Sequence, residues 1–360
     1  MGWSISDVHD TTPQNAGRSR VGGGYEAAVR RIWRHAEPGS PDASAVLRAL
    51  VHDATLAPSS HNTQCWRFRL EDSAITLLPD AQRRCPVVDP DDHHLFVSLG
   101  CAAESLVHSA LAHGWLCEPV FHGGADPSLR LALLPTVALR TPLFEAIPHR
   151  QTTRADFDAQ PLSTEELKLL EAAGSGPGVQ VHLLTGRQAI EAVGEFVVEA
   201  NTAQLRNQAF VAELRHWIRF NGREAVRTGD GLFSACTGNP GLPTWLGRAL
   251  FPLVLSERKE NERYTRQIRS SAGIAVFVSQ RDDQRHWIEA GRAFQRFALQ
   301  ATALGVRTSH LNQPVEVAPI RAGFARFLGV AGGRPDLVIR FGRGPVMPRS
   351  LRRPVDAVLV

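Results

Sequence analysis

The 360-residue chain is sparing with cysteine. Cys65, Cys85, Cys101, Cys117 and Cys236 are odd in number and form no Cys-x-x-Cys pair, which gives no zinc framework and suits reduced thiols. Basic runs are also scarce. The formal net charge is only +4, arginines are spread along the whole sequence, and the one dense cluster is the short tail 348–354. With no aromatics interleaved among those arginines, a nucleic-acid partner is not expected. The N-terminus shows no charged-then-apolar leader, and no apolar run approaches the ~20 residues of a membrane helix. The expectation is a cytoplasmic protein with no membrane partner. What is present, 43% hydrophobic and 21% charged residues, describes a globular chain with roughly two domains' worth of core.

The chain is organised around Ala57-Pro58-Ser59-Ser60-His61-Asn62-Thr63-Gln64-Cys65-Trp66. An apolar stripe (Val46, Leu47, Leu50, Val51, Ala54) predicts a helix opening at Ser40-Pro41 and stopped by Pro58, whose ring disfavours a helical Ala57. A hairpin, 66–70 and 74–78, is expected beyond it. Between them lies a short turn crowded with side-chain donors and acceptors, able to ring a flat heteroaromatic ligand. On composition alone the plainer reading, a helix-stop loop capping its own backbone, is preferred.

Residues 1–24 read as a mobile tail and 25–36 as a short helix. The segment 91–114 is apolar on most faces and predicts a buried central helix; 287–305 predicts a second. The two match at an offset of 191 residues, with Asp91, Asp92, Gly100 and Gly114 falling on Asp282, Asp283, Gly291 and Gly305. Small residues in register permit close packing, which suggests two similar halves pressed together through these helices. The expected division is 25–140 and 141–360. A capping box at Ser163–Glu166 precedes a helix, 179–184, 274–278 and 337–341 read as strands, and the irregular stretch 206–270 reads as an insert and a candidate lid.

Arg150, Thr152 and Arg154 alternate, so on an extended segment two guanidinium groups and a hydroxyl share one face. That suits a phosphate monoester, and Arg352 with Arg353 could complete the clamp; two surface arginines on a solvated loop are the plainer alternative. Asp91-Asp92-His93-His94 is read as a helix start rather than a metal site.

Together these motifs resemble the FMN-dependent nitroreductase superfamily. The stretch 57–68 resembles its Ala-Pro-Ser-x-x-Asn-x-Gln-Pro-Trp-x-Phe motif, with Cys65 in place of the proline. Arg150-x-Thr152-x-Arg154-x-x-Phe157 with 162–167 resembles its phosphate-binding start, and Arg352-Arg353-Pro354 its C-terminal motif. The arginine motif follows the Pro-Ser-x-x-Asn motif, as in the Acg-like branch, where two nitroreductase-like halves of one chain imitate the usual homodimer. The resemblance implies an α+β fold and a pseudo-dimeric monomer, with further dimerisation left open. It also implies one FMN held by Pro58, Ser59, Ser60, Asn62, Gln64, Arg150, Thr152, Arg154 and Arg352. Ser309, in the loop following the second central helix, would lie near flavin N5. NAD(P)H would be the electron donor and a small organic molecule (a nitroaromatic, a quinone or a pathway-specific substrate) the acceptor. The competing readings are a flavin-sequestering protein with the 206–270 insert closed over the ring, and a flavin-free scaffold.

Overall fold

The computed structural model describes residues 23–36, 42–330 and 332–360. The tail assigned to 1–24, Gly23 and Gly24 apart, and the helix start at Ser40-Pro41 lie outside the described residues. Gly23 and Gly24 instead open helix α1, Gly23–Ile32. Helix α2, Ala43–Thr55, is capped by Asp42, which accepts from the Ser44 N–H at 3.3 Å.

Two four-stranded antiparallel sheets frame the molecule. In the first, the hairpin β1 (Trp66–Glu71) and β2 (Ala74–Pro79) pairs Phe68 with Leu77. After helix α3 (His93–Ala112), the short strands β3 (Trp115–Leu116), β4 (Pro119–His122), β5 (Ser128–Ala132) and β6 (Leu134–Pro135) follow. The sheet order is β1-β2-β5-β4, and its inner face (Phe68, Ile75, Leu77, Leu129, Leu131) is fully buried. Helices α4 (Pro142–Ala146) and α5 (Thr164–Gly174) lead to β7 (Val179–Leu184) and α6 (Arg187–Arg206). The capping box at Ser163 and Glu166 is formed.

The next stretch is largely helical: α7 (Gln208–Trp217), β8 (Ile218–Arg219), α8 (Gly222–Thr228), β9 (Leu232–Phe233), α9 (Thr244–Val254) and α10 (Glu257–Arg269). Then come β10 (Gly273–Ser279), α11 (Gln284–Ala303), β11 (Arg307–His310), α12 (Gln313–Glu316), α13 (Ala318–Phe327) and β12 (Arg334–Gly342). The second sheet runs β11-β12-β10-β7. Its two central strands are buried on both faces, β10 through a near-continuous apolar run and β12 with Arg334, Asp336 and Arg340 buried beside its Leu337-Val338-Ile339 core.

Each sheet has an edge covered by a distant segment, which satisfies backbone groups that an edge strand would leave open. The chain end crosses to the first sheet, where the Phe68 N–H donates to Val358 at 2.8 Å and the Val360 N–H to Phe68 at 3.0 Å. The Thr153 N–H donates to Thr308 on β11 at 2.9 Å.

α3 and α11 pack against each other at the centre. A Cβ on Gly100 would stand 2.0 Å from the Ile288 carbonyl oxygen, and a Cβ on Gly291 2.0 Å from that of Val97. The contact is reciprocal, because the offset that relates Gly100 to Gly291 also relates Val97 to Ile288, as at a two-fold interface. Beside the crossing, Arg292 donates to the buried Glu104 carboxylate at 2.9 Å and Gln295 to Ser105 at 2.8 Å. Two expectations are corrected here. α3 is 20 residues, long and apolar enough by composition to cross a membrane, but it is buried inside the protein. Ser98, Glu104 and Ser105 interrupt the linear run and so hid this from a search for unbroken apolar stretches. Its cap also differs: Asp92 has φ 62° and makes no capping bond, while Asp89 accepts from the His94 and Leu95 N–H groups.

Candidate functional site

α2 ends in three carbonyls with no helical partner, and two arginines take them. Arg352 donates to Thr55 (2.7 Å), Leu56 (3.2 Å) and Ala57 (3.0 Å), and Arg150 to Leu56 (3.0 Å). Cations at a helix C-terminus also meet the favourable end of its dipole. After Pro58 the backbone turns through left-handed conformations at His61 (φ 48°), Asn62 (φ 53°) and Gln64 (φ 55°), unusual for residues with side chains. Ser59 fixes this turn, its hydroxyl accepting the Gln64 N–H at 2.9 Å. Cys65 is buried in the position of the motif's proline.

The turn borders a cavity of about 510 Å³ whose wall comes from both sides of residue 140. Pro58, Ser59, Ser60 and His61 form one margin, with His94 and Ser98 of α3 beside them; Arg154, His310, Gln313 and Glu316 face from the other side. The insert supplies a third wall that includes Phe210, Phe220, Phe233 and Phe251. Not all of the insert's large aromatics reach the cavity. Trp217 packs instead with Cys85 and Val88, and Trp245 is 72% exposed.

Of the other candidate residues, Asn62, Gln64, Arg150, Thr152, Ser309 and Arg352 lie behind the cavity wall. The Asn62 amide donates to Gly231 (2.9 Å) and Leu351 (3.0 Å), and its oxygen accepts from Arg352 at 2.7 Å. Gln64 donates to Gly229 at 2.9 Å and accepts the Arg353 N–H at 2.8 Å. The left-handed turn has swung both amides toward the insert and the chain terminus. Arg83 and Arg219 clamp Asp230 between them, and Glu213 accepts the Val87 and Val88 N–H groups, so the insert is pinned to the first sheet's half at several points. Thr152 bridges to Thr308. Ser309 belongs to strand β11 rather than to a loop, opposite Arg340, and strand alternation presents its neighbour His310 to the cavity.

Positive charge is concentrated here without its counterpart. Among the described residues no carboxylate pairs with Arg150, Arg154, Arg349 or Arg352, and Arg154 makes no side-chain hydrogen bond. Arg150, 2% exposed, has two N–H groups (Nε and Nη1) with no partner. Burial and the neighbouring Arg349 push the Arg150 guanidinium down to about 10, and burial with Arg150 and Arg349 pushes Arg352 down as well. Trp33 offers partial relief, its ring lying 4.4 Å from the Arg349 guanidinium and 4.7 Å from that of Arg352. Arg340 was not singled out in the sequence. It is fully buried and donates to Thr153 (3.1 Å) and Ala155 (2.7 Å), fixing the backbone on either side of Arg154. His61 and His94 figure in the sequence only as parts of the 57–66 turn and of a helix start, and Gln313 and Glu316 escaped notice, since nothing in their spacing marks residues that only the tertiary fold assembles.

Burial, then Arg154, pushes His61 down to about 4; burial, Arg154 and Arg150 push His310 down to about 3. Both imidazoles are therefore neutral in the fold near pH 7. Below the ordinary value of about 6.5 the unfolded chain binds these protons first, so each histidine lowers stability on acidification by about 1.4 kcal/mol per pH unit. Asp89, raised by burial to about 7, and Asp336, raised to about 8, act with the opposite sign. The readout is thus a difference. Urea denaturation of His61→Gln and His310→Gln between pH 7 and 4.5 should each show a stability slope shallower than wild type by about one proton; parallel slopes would contradict the assignment.

No family model matches the chain. It is 27% identical over 333 residues to the Mycobacterium tuberculosis protein named "Putative NAD(P)H nitroreductase Rv3131", covering 89% of this chain and 92% of that one. It is 24% identical over 331 residues to "Putative NAD(P)H nitroreductase acg" of the same organism, covering 87% and 95%. Among solved structures, the FMN-bound nitroreductase of Bacteroides fragilis gives a TM-score of 0.37 at 13% identity, covering 59% of this chain and 94% of that one. At that score the structural likeness carries no weight. The match in sequence does, and it makes this chain similar over most of its length to proteins named as NAD(P)H nitroreductases.

Proposed function

We propose that the chain is an FMN-dependent oxidoreductase that moves two electrons from NAD(P)H to a small organic acceptor. In this reading residues 25–140 and 141–360 are two nitroreductase-like halves that share one site. The observation that carries the reading is the set of buried, unpaired guanidinium groups. Leaving such charge without an anion is costly, and a phosphate monoester supplies the acceptors it lacks. Arg154, at the cavity wall, would meet the phosphate directly, and Arg150 would reach it with its two free N–H groups by a shift of its side chain from behind that wall; Arg352 and Thr152 would set the backbone and helix end on which they stand. Pro58, Ser59 and Ser60, which line the cavity, would meet the ring and the ribityl chain. Asn62 and Gln64 keep their turn in its left-handed form, and Ser309 fixes the strand that presents His310.

Bound FMN would supply a two-electron hydride acceptor. The chain's own part is to bind and orient. The Ser59 and Ser60 hydroxyls offer hydrogen bonds at one margin, the neutral His310 offers another, and the insert's phenylalanines exclude water. The uncompensated arginines favour the more negative, reduced form of the cofactor.

The pinning of the insert across the cavity favours a second reading, a flavin-sequestering protein that turns over little. Stopped-flow mixing of the flavin-loaded chain with NADH and NADPH decides between them. Loss of absorbance near ~450 nm within seconds is the expected result. A bound flavin that neither nicotinamide bleaches would mean sequestration.

A further inference from the structure

Buried amides are ordinarily hydrogen-bonded, and leaving one unmet costs stability. Most polar side chains around the α6–α12 end of the cavity obey this. Gln204 donates to Glu316 at 2.6 Å, Asn312 accepts the Val338 N–H at 3.0 Å, and Asn201 donates to Asn261 at 2.7 Å. Gln313 does not. It lines the cavity at 7% exposure, its Oε1 has no partner, and its amide forms no hydrogen bond among the described residues.

Gln313 and Glu316 lie three residues apart on α12 and so share one face of that turn. Glu316 is already engaged, accepting from Gln204 and lying 3.5 Å from the His94 ring nitrogen. The free group is therefore one amide, able to give and to take a hydrogen bond at once. The same cavity is lined by the apolar side chains of the insert. A ligand matching both is an apolar ring with a single edge that donates and accepts, as a hydroxyl does. An anionic substituent finds no cation in this pair of side chains, since the free group is an uncharged amide and its neighbour Glu316 is a carboxyl.

We infer that Gln313 is the specificity-determining residue of a second subsite in this cavity, one that takes a neutral ring compound through a ring hydroxyl. This deepens the proposed function by naming the class of small molecule held beside the flavin, yet the subsite is defined by protein groups alone. The probes are 4-methylphenol and its methyl ether, which keeps the ring and removes the donor. The ether is the more apolar of the two, so burial alone would favour it.

Calorimetric titration of the purified chain, with its visible spectrum recorded on the same sample, should show the phenol bound about five- to tenfold more tightly than the ether. Gln313→Leu should bring the two to within about twofold while the ether binds as before, which also reports that the variant is folded. Gln313→Met, closest in length, is titrated beside it and should behave alike. Equal affinity in the wild type, no binding of either probe, or an unchanged preference in both variants would overturn the inference. A colourless sample that still shows the preference would defeat the flavin reading and leave the subsite standing. A yellow sample without the preference would do the reverse.

Discussion

Gly100→Ala should destabilise the protein by about 3 kcal/mol or more, and Gly291→Ala by a similar amount, in urea denaturation. The reason is distance. The added methyl carbon would lie 2.0 Å from a backbone carbonyl oxygen of the opposing helix in either case, and backbone cannot rotate aside as a side chain can. Relief requires α3 and α11 to separate, which loosens the core that both sheets pack on. A control comes from the same residue type elsewhere. Gly194 lies mid-helix in α6, where a new Cβ would find only the Ile268 side chain, at 3.5 Å. Gly194→Ala should be neutral or stabilising by up to about 1 kcal/mol, because alanine is the better helix former. Equal effects at Gly100 and Gly194 would show that the helix crossing is not tight.

The second large effect concerns binding. Arg150→Met with Arg154→Met should weaken FMN binding by about 10²- to 10⁴-fold, the worth of two charge-assisted contacts at ~1.5–3 kcal/mol each. Riboflavin, which lacks the phosphate, should bind the double variant as it binds the wild type. The flavin-free protein should lose little stability. Arg352 still satisfies the Leu56 carbonyl when Arg150 is gone, Arg154 has no partner to abandon, and methionine keeps the apolar stem while removing an uncompensated charge. Fluorescence titration with both flavins checks this. A double variant that loses riboflavin as readily as FMN would remove the phosphate assignment while leaving a flavin site.

Much of the fold could be read directly from residues because local rules governed it. The 66–71/74–79 hairpin, the capping box at Ser163 and the two central helices follow from alternation, capping chemistry and apolar faces. The glycine match at Gly100 and Gly291 even located the crossing of the helices. Direction was harder to read than composition. The 59–64 turn was visibly rich in hydrogen-bonding groups, but its positive φ angles aim Asn62 and Gln64 at the insert and the chain terminus. Strand alternation likewise decides that His310 and not Ser309 meets the cavity. Arg340, Gln313 and Glu316 carry no local signature at all, since their importance comes from segments distant in sequence that close around them.

The visible spectrum of the purified chain, followed by titration with FMN, tests the central claim most directly. A yellow protein with a band at about 450 nm and one tightly bound FMN per chain is the expected result. A colourless chain that takes up no added FMN, its arginines left unpaired, would contradict it.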